Sequence, residues 1–119
     1  MPYSLIIPIY NEENTIPQLL NDLQSLDHDA QIIIVDDGST DKTDTILKNA
    51  SGIDVIVQET NQGKGSAIQT GLETVEKDFI IIMDGDLEVS VSDISSLLKF
   101  FEENNNSFAV VGVRWNANQ

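Results

Sequence analysis

The chain has 119 residues, which is enough for one domain with one hydrophobic core. Its formal net charge is -14, and a surface this acidic repels nucleic acid, so we expect no nucleic-acid partner. The absence of cysteine excludes disulfides, thiolate metal sites and cysteine nucleophiles. No apolar run is long enough to cross a bilayer and no signal peptide is evident, so the sequence predicts a cytoplasmic location without a transmembrane segment.

Short apolar runs alternate with helical patterns along the chain. Five runs predict strands, at Ser4–Ile9, Gln31–Val35, Asp54–Val57, Phe79–Met83 and Ser107–Val113. Apolar stripes at helical spacing predict three helices, and Thr43–Ala50 is a shorter candidate. The stripes are Ile16, Leu19, Leu20, Leu23 and Leu26, then Ile68, Leu72 and Val75, and last Ile94, Leu97, Leu98 and Phe101. The strands are continuously apolar, which is typical of strands covered on both faces. The order predicts an α/β fold with a mainly parallel sheet between two helical layers.

Each of the first four predicted strands is followed at once by a polar cluster. The clusters occupy residues 10–13, 36–41, 61–65 and 84–88. Ligands of open α/β sheets bind beyond the carboxyl ends of the strands, where these clusters would converge. The convergence therefore predicts a binding site at that edge of the sheet.

Asp84-Gly85-Asp86 directly follows a predicted buried strand, and Glu88 comes two residues later. These carboxylates would form an oxygen-rich site that suits Mg²⁺ or Mn²⁺, both of which also bind diphosphate oxygens. The competing interpretation is an acidic loop without a ligand, because short matches of this kind are common by chance. The position directly after a buried strand favours the metal site.

The cluster at residues 36–41 has the composition of a turn and a helix cap. Gly38 permits a positive φ, and Ser39 to Asp41 are candidate caps. These roles leave two adjacent aspartates at the end of an apolar strand unexplained. Asp36 or Asp37 could accept hydrogen bonds from a ribose or a base.

The remaining candidates are less specific. In the cluster at residues 61–65, Lys64 could offset phosphate charge, although a flexible helix start explains the same residues. Tyr10 could stack on a base or pack internally, and Pro8 restricts the end of the first strand. Arg114 could bind phosphate or pair with a surface acid. His28 lies between two acids in a loop, so it offers no hydrolase triad.

Taken in order, these clusters resemble those of family 2 glycosyltransferases. The matching stretches are residues 6–13, 34–41, 61–65 and 83–86. Within that family, the stretches at 84–88 and 111–115 are most similar to polyprenyl-phosphate (dolichyl-phosphate) mannosyl- and glucosyltransferases.

The resemblance implies a GT-A fold, a Rossmann-like three-layer sandwich that binds a UDP- or GDP-sugar and transfers the sugar with inversion. The residues that it assigns to the nucleoside pocket are Pro8, Tyr10, Glu12, Val35 and Asp37. Those that it assigns to the ribose and diphosphate are Asp84, Gly85, Asp86, Lys64 and Arg114. It assigns the divalent metal, Mg²⁺ or Mn²⁺, to Asp86 and Glu88.

The resemblance also implies an acceptor, which is a lipid phosphate in the most similar subfamily. A phosphate acceptor needs no strong general base, whereas a hydroxyl acceptor does. Family members continue well past this length, so we expect residues 1–119 to be a C-terminally truncated, donor-binding half without the general base. A full-length relative would act at the cytoplasmic face of a membrane. A sheet edge exposed by truncation could pair with a second copy to form a homodimer.

Two other functions stay open on the sequence alone. A phospho-acceptor receiver domain would share the length, the fold class and an aspartate pair at a strand end. Receivers carry that pair after the first strand, however, and need a lysine where this chain has Arg114. A catalytically inactive nucleotide-sugar-binding module would keep the same donor pocket.

Overall fold

The computed structural model describes residues 2–26, 29–83, 94, 96, 98, 99, 103 and 110–113. Within them, five parallel strands form one sheet, in the order β3-β2-β1-β4-β5. The strands are β1 (Tyr3–Ile9), β2 (Ala30–Asp36), β3 (Asp54–Val57), β4 (Ile80–Met83) and β5 (Val110–Val113). The helices with defined bounds are α1 (Ile16–Leu23), α2 (Thr43–Lys48) and α3 (Lys64–Leu72). All five predicted strands are confirmed, although residues 107–109 of the fifth prediction lie outside the described residues.

The sheet is covered on both faces, which explains why its strands show no alternation of apolar and polar residues. Every residue of β1 is buried. One core cluster joins Leu5, Ile7 and the α1 residue Leu19, and a second joins Ile6 and the α3 residue Ala67. The predicted three-layer α/β sandwich is therefore confirmed.

Helix α1 begins as the sequence predicts. Thr15 takes the cap position and Pro17 lies in the first turn, where a proline costs no helical hydrogen bond. The Thr15 hydroxyl donates to Glu12 Oε2 at 2.7 Å instead of capping a backbone N–H. The predicted stripe is confirmed, since Ile16, Leu19 and Leu23 are the buried residues of the helix.

The predicted apolar stripe of α3 is wrong at Leu72. The buried residues of this helix are Ala67 and Gly71, whereas Leu72 is 40% exposed. A Cβ on Gly71 would lie 2.7 Å from Ile6 Cγ2, so the helix approaches the sheet too closely for a larger side chain. The spacing of large apolar residues could not predict that α3 packs on the sheet through small residues.

The third predicted helix, Ile94–Phe101, falls mostly outside the described residues. Residues 94, 96, 98 and 99 are helical where they are described. Ile94 is buried and Leu98 partly buried in the core cluster that contains the α1 face. Within the described residues, no helix combines the length and the apolarity needed to cross a bilayer.

A buried polar cluster, the amino-edge network, ties the connection between α3 and β4 to the start of the sheet. Gln31 lies at its centre: its Oε1 accepts from Ser4 Oγ at 2.6 Å and from the Glu76 N–H at 2.8 Å. Its Nε2 donates to Asp54 Oδ2 at 3.1 Å and to the Thr74 carbonyl at 3.0 Å. The Lys77 N–H completes the network by donating to Ser4 Oγ at 3.3 Å.

The strand order places a topological switch point between β1 and β4. The chain winds outward from β1 through β2 to β3, then crosses over to β4 on the other side of β1. The crevice outside the carboxyl ends at such a switch point is where open α/β sheets bind ligands. Receiver domains have the order 2-1-3-4-5, so the observed order contradicts the receiver alternative.

Candidate functional site

The loops that follow β1, β2 and β3 meet at the carboxyl edge of the sheet, as predicted. Asn11 joins the first two loops from a left-handed conformation, with φ of 50°. Its Oδ1 accepts from the Thr40 N–H at 2.8 Å and from the Asp41 N–H at 3.3 Å. Its own N–H donates to Ser39 Oγ at 2.9 Å. Asparagine is enriched in this conformation, so position 11 suits the residue that occupies it.

The starts of α1 and α2 are linked by the same two loops. The Glu12 N–H donates to Thr43 Oγ1 at 2.9 Å, and the Glu13 N–H donates to Asp41 Oδ2 at 3.2 Å. In return, the Lys42 N–H donates to Glu13 Oε2 at 3.1 Å. The two loops therefore form one rigid unit that fixes where both helices begin.

Asp41 is the acid at this edge whose titration these bonds change. Desolvation by burial raises the pKa of Asp41, but hydrogen bonds from the Thr43 side chain and from backbone N–H groups outweigh it. Among the backbone donors are the N–H groups of Thr43 and Glu13. The net result is a pKa below the ordinary value of 3.8, because the bonds favour the charged carboxylate.

Asp37 joins the second loop to the third. Its side chain is almost fully buried, at 4% exposure, and its two oxygens accept the N–H groups of Gln62 and Gly63, each at 2.9 Å. These N–H groups come just before α3, where a negative charge also interacts favourably with the helix dipole. They are therefore already occupied by a carboxylate and not free to cradle a phosphate.

Gly38 makes the close approach of these two loops possible. Its φ is +72°, and a Cβ at this position would lie 2.4 Å from the Thr60 carbonyl carbon and 2.5 Å from the Asn61 nitrogen. The positive φ predicted from the sequence is confirmed. The contact adds a second reason for glycine, since no other residue leaves room for the neighbouring backbone.

Asp36 is fully buried beside Asp37 but uses its carboxylate differently. Its Oδ1 accepts the Ser39 N–H at 3.0 Å and so closes the turn after β2. Its Oδ2 is buried and has no hydrogen-bond partner in the part of the chain that the structure describes. A buried carboxylate oxygen in this state is costly, so this turn is kept at the expense of stability.

At the same edge, the described pairing of β1 with β4 ends before that of β1 with β2. Pairing of β1 with β2 continues to Ile9–Asp36, whereas pairing of β1 with β4 ends at Ile6–Ile82. The Ser4 N–H donates to the Phe79 carbonyl at 2.7 Å, so in this register the position-8 N–H would face the Met83 carbonyl. Pro8 has no N–H, and the ladder ends there.

The structure places the predicted nucleoside residues on β1, β2 and the loops that follow them. Pro8 and Val35 are buried register partners on β1 and β2, and Val35 packs in the core under α3. Tyr10 is 43% exposed just beyond β1, and Glu12 is half-buried. Lys64 is the exposed first residue of α3. The predicted residues Asp84, Gly85, Asp86, Glu88 and Arg114 lie outside the described residues.

The described carboxylates at this edge are engaged by the protein itself. Those that accept hydrogen bonds from backbone or hydroxyl donors are Glu12, Glu13, Asp36, Asp37 and Asp41. Across the described ranges, no group of three or more histidines or acids is arranged to hold a metal ion. The metal hypothesis therefore stays with Asp86 and Glu88.

Sequence reasoning missed the residues that hold the edge together. Asn11 and Thr43 were not singled out, although each bridges the first two loops. Asn11 itself was an available signal. It comes two residues after the end of β1, and asparagine tolerates the left-handed backbone conformation that a tight loop requires. The partner of Asn11 lies about 30 residues away, and nothing in the local sequence points to it.

Comparison with known sequences identifies the family. The sequence model described as "Glycosyl transferase family 2" matches residues 4–118. The chain belongs to glycosyltransferase family 2. The undecaprenyl-phosphate 4-deoxy-4-formamido-L-arabinose transferase of Proteus mirabilis is 35% identical over 120 residues, which cover 93% of this chain and 36% of that protein. The chain thus spans about a third of the length of this curated relative.

Solved structures show the same fold. Residues 1–349 of S. aureus TarS in complex with UDP superpose with a TM-score of 0.75 at 30% identity, covering 88% of this chain and 33% of that one. The mannosyltransferase PcManGT from Pyrobaculum calidifontis, in complex with GDP-Man and Mn²⁺, gives a TM-score of 0.75 at 22% identity. It covers 83% of this chain and 32% of that one. The chain has the GT-A fold, as the sequence resemblance implied.

Proposed function

We propose that residues 1–119 form the donor-binding half of an inverting glycosyltransferase that transfers a sugar from a UDP- or GDP-sugar to a polyprenyl phosphate. The observation that carries the proposal is the convergence of the family's motifs at one edge. Three of the four follow strands whose exit loops are hydrogen-bonded to one another beside the switch point. An edge held this way keeps its geometry before a ligand arrives, which lowers the cost of binding.

The nucleoside would occupy the edge between β1 and β2. Tyr10 offers an exposed side chain for stacking on a nucleobase. Pro8 and Val35, which are buried, make the ends of β1 and β2 apolar. Each oxygen of Asp37 accepts one backbone N–H and keeps a lone pair for the nucleoside. The complexes of TarS with UDP and of PcManGT with GDP-Man support a nucleotide ligand.

The diphosphate needs positive charge at an edge that is rich in acids. The chain carries a net charge of -14, and several acids lie at this edge. Asp86 and Glu88 are the residues that would hold Mg²⁺ or Mn²⁺, and Lys64 and Arg114 would add positive charge. When bound, the cation supplies stabilisation of the negative charge that develops on the departing diphosphate. The complex of PcManGT with Mn²⁺ supports the use of a divalent cation.

The name of one relative supports the proposed acceptor. The Proteus mirabilis protein is named for undecaprenyl phosphate. A phosphate oxygen is already an anionic nucleophile, which fits a donor-binding half to which no general base is assigned. Transfer would take place at the cytoplasmic face of the membrane. A second copy of the chain would form a homodimer by pairing along a sheet edge exposed by truncation.

Calorimetry with UDP and with GDP, each with and without Mn²⁺, tests the proposal. We expect one nucleotide to bind in a Mn²⁺-dependent way, and Asp86→Asn to weaken that binding at least about tenfold through loss of a metal ligand. Asp22→Asn on α1 is the matched control, because it removes one negative charge away from the carboxyl edge. It should leave the affinity unchanged.

Two results would contradict the donor site. One is that neither nucleotide binds, and the other is binding that depends on neither Mn²⁺ nor Asp86. A transfer assay with a polyprenyl phosphate then separates an enzyme from a binding module. Metal-dependent binding without transfer would assign the inactive module.

A further inference from the structure

Pro8 lies in the central strand of a parallel sheet, where proline is rarely found because it cannot donate to the ladder. Its effect is confined to one side. On the β2 side the pairing includes Pro8–Val35 and Ile9–Asp36, because in this register the N–H of position 8 faces β4. On the β4 side the pairing ends at Ile6–Ile82.

This arrangement leaves one backbone carbonyl without a partner in the β1–β4 ladder of the described residues. Ile7–Met83 is the next pair in the β1–β4 register, and it would require an N–H at position 8 that donates to the Met83 carbonyl oxygen. Met83 itself is 98% buried, given its 2% exposure, and it is the last residue of β4. A carbonyl at such a place needs a hydrogen-bond donor, since an unsatisfied buried acceptor is costly.

We propose that the Met83 carbonyl, left without a ladder partner by Pro8, accepts a hydrogen bond from an N–H or O–H of the donor nucleoside. Pro8 is then a positioning residue, which acts through the acceptor that it leaves open. This inference rests on the proposed function. It goes further by assigning a specific backbone acceptor on β4 to the nucleoside.

Three features of the structure support the assignment. The gap lies between β1 and β4, at the switch point of the sheet. It adjoins Tyr10, whose ring is 43% exposed just beyond the same strand. On its other side β1 stays hydrogen-bonded to β2 as far as Asp36, and the Asp37 N–H donates to the Ile9 carbonyl at 2.9 Å. The loss of pairing is therefore confined to the β4 side of β1, and the hydrogen bonds to β2 hold β1 in place.

Two substitutions separate the missing N–H from the proline ring. Pro8→Val adds an N–H and keeps a similar apolar volume, whereas Pro8→Ala adds the N–H and removes volume. In both variants the new N–H should donate to the Met83 carbonyl and compete with the nucleoside. We expect both to bind UDP or GDP, whichever the unaltered protein binds with Mn²⁺, about tenfold more weakly, as for the loss of one hydrogen bond.

Stability and hydrogen exchange distinguish this role from a structural one. The melting temperature should stay the same or rise. Replacing proline raises the conformational entropy of the unfolded chain, but the new ladder hydrogen bond offsets that loss of stability. In the nucleotide-free variants, the amide at position 8 should exchange slowly, as a ladder amide does. Pro17→Ala in the first turn of α1 is the control, and it should leave nucleotide affinity unchanged.

The outcomes separate this inference from the proposed function. Absence of UDP and GDP binding to the unaltered protein would overturn both. Metal-dependent binding that Pro8→Val leaves unchanged would overturn only the role of the Met83 carbonyl. The same holds if Pro8→Ala alone loses affinity, because the ring volume would then be responsible. Fast exchange at position 8 would show that the ladder does not close, which also overturns the inference.

Discussion

The two edges of the sheet are both rich in polar side chains, but they differ in how those side chains are satisfied. In the amino-edge network, both groups of the Gln31 amide have protein partners, and so does the Ser4 hydroxyl. At the carboxyl edge, Asp36 keeps a buried oxygen that has no partner in the described part of the chain. The amino-edge network is satisfied by the protein alone, whereas the carboxyl edge keeps a buried acceptor that no described residue satisfies.

The difference indicates where the chain gives up stability. Buried polar groups without a hydrogen-bond partner are costly and rare, and such places are frequently functional. At the amino edge, by contrast, the Gln31 amide and the Ser4 hydroxyl are satisfied within the protein, as expected where polar groups serve only folding. Substitutions at the two edges should therefore affect stability and nucleotide binding in different ratios.

The largest effect is expected from Gly38→Ala at the carboxyl edge. A left-handed alanine costs about 1–2 kcal/mol, and overpacking against the Thr60–Asn61 backbone adds up to about 3 kcal/mol. Urea denaturation should show a loss of about 4 kcal/mol in the free energy of unfolding. Nucleotide affinity should fall as well, because the loop that Asp37 holds must move.

Gly52→Ala is the matched control for that substitution. Gly52 has nearly the same φ, +74°, but a Cβ there would meet nothing within 4 Å. Its loss should be about 1–2 kcal/mol, from the backbone conformation alone. Equal losses at the two glycines would mean that the approach of the loops does not constrain position 38.

A somewhat smaller effect on stability is expected from Gln31→Leu in the amino-edge network. The substitution leaves the Glu76 N–H and the Ser4 hydroxyl without their acceptor, for a loss of about 3 kcal/mol. Nucleotide affinity should not change, because the network is at the opposite edge from the binding site. Gln69→Leu on the exposed side of α3 is the control and should cost less than about 0.5 kcal/mol. A parallel loss of nucleotide binding in Gln31→Leu would remove the distinction between the edges.

The smallest effect is a pH dependence at Asp41. Because its folded pKa lies below 3.8, Asp41 contributes stability above that pH and loses the contribution as the pH falls through the folded pKa. The contribution is less than about 1 kcal/mol, since the group is half-buried and water screens it. Asp41→Asn should thus be less stable than the unaltered protein at pH 7, and the difference should be smaller at a pH below 3.8. A difference that is the same at both pH values would show that the hydrogen bonds do not select the charged form.

Much of the fold could be predicted from the sequence because the signals are local. Continuous apolar runs marked the strands, and each is followed by residues that parallel pairing brings to one edge. The α3 face could not be predicted in this way. Its contact depends on Ala67 and Gly71 being small, and only the position of Ile6 in three dimensions shows why.

The convergence of the loops at the carboxyl edge was predictable, but the hydrogen bonds between them were not. Asp37 was correctly placed at the edge, whereas its bonds to the Gln62 and Gly63 N–H groups span about 25 residues and have no local signature. The hydrogen bond between Asn11 and Thr40 could not be predicted for the same reason, since it spans 29 residues. Pro8 was noted as a restriction on its strand, but which side it opens depends on the register with β4.

The central position of β1 sets the order in which the protein can be completed during synthesis. β1 leaves the ribosome first, but its partner β4 is made last of the three innermost strands, and the Lys77–Ser4 hydrogen bond spans 73 residues. Contacts of such long range slow folding, and a strand with one bare side can template aggregation. The nascent chain is therefore most prone to misassembly after β2 has emerged and before β4 has. During that interval one edge of β1 has no strand to pair with.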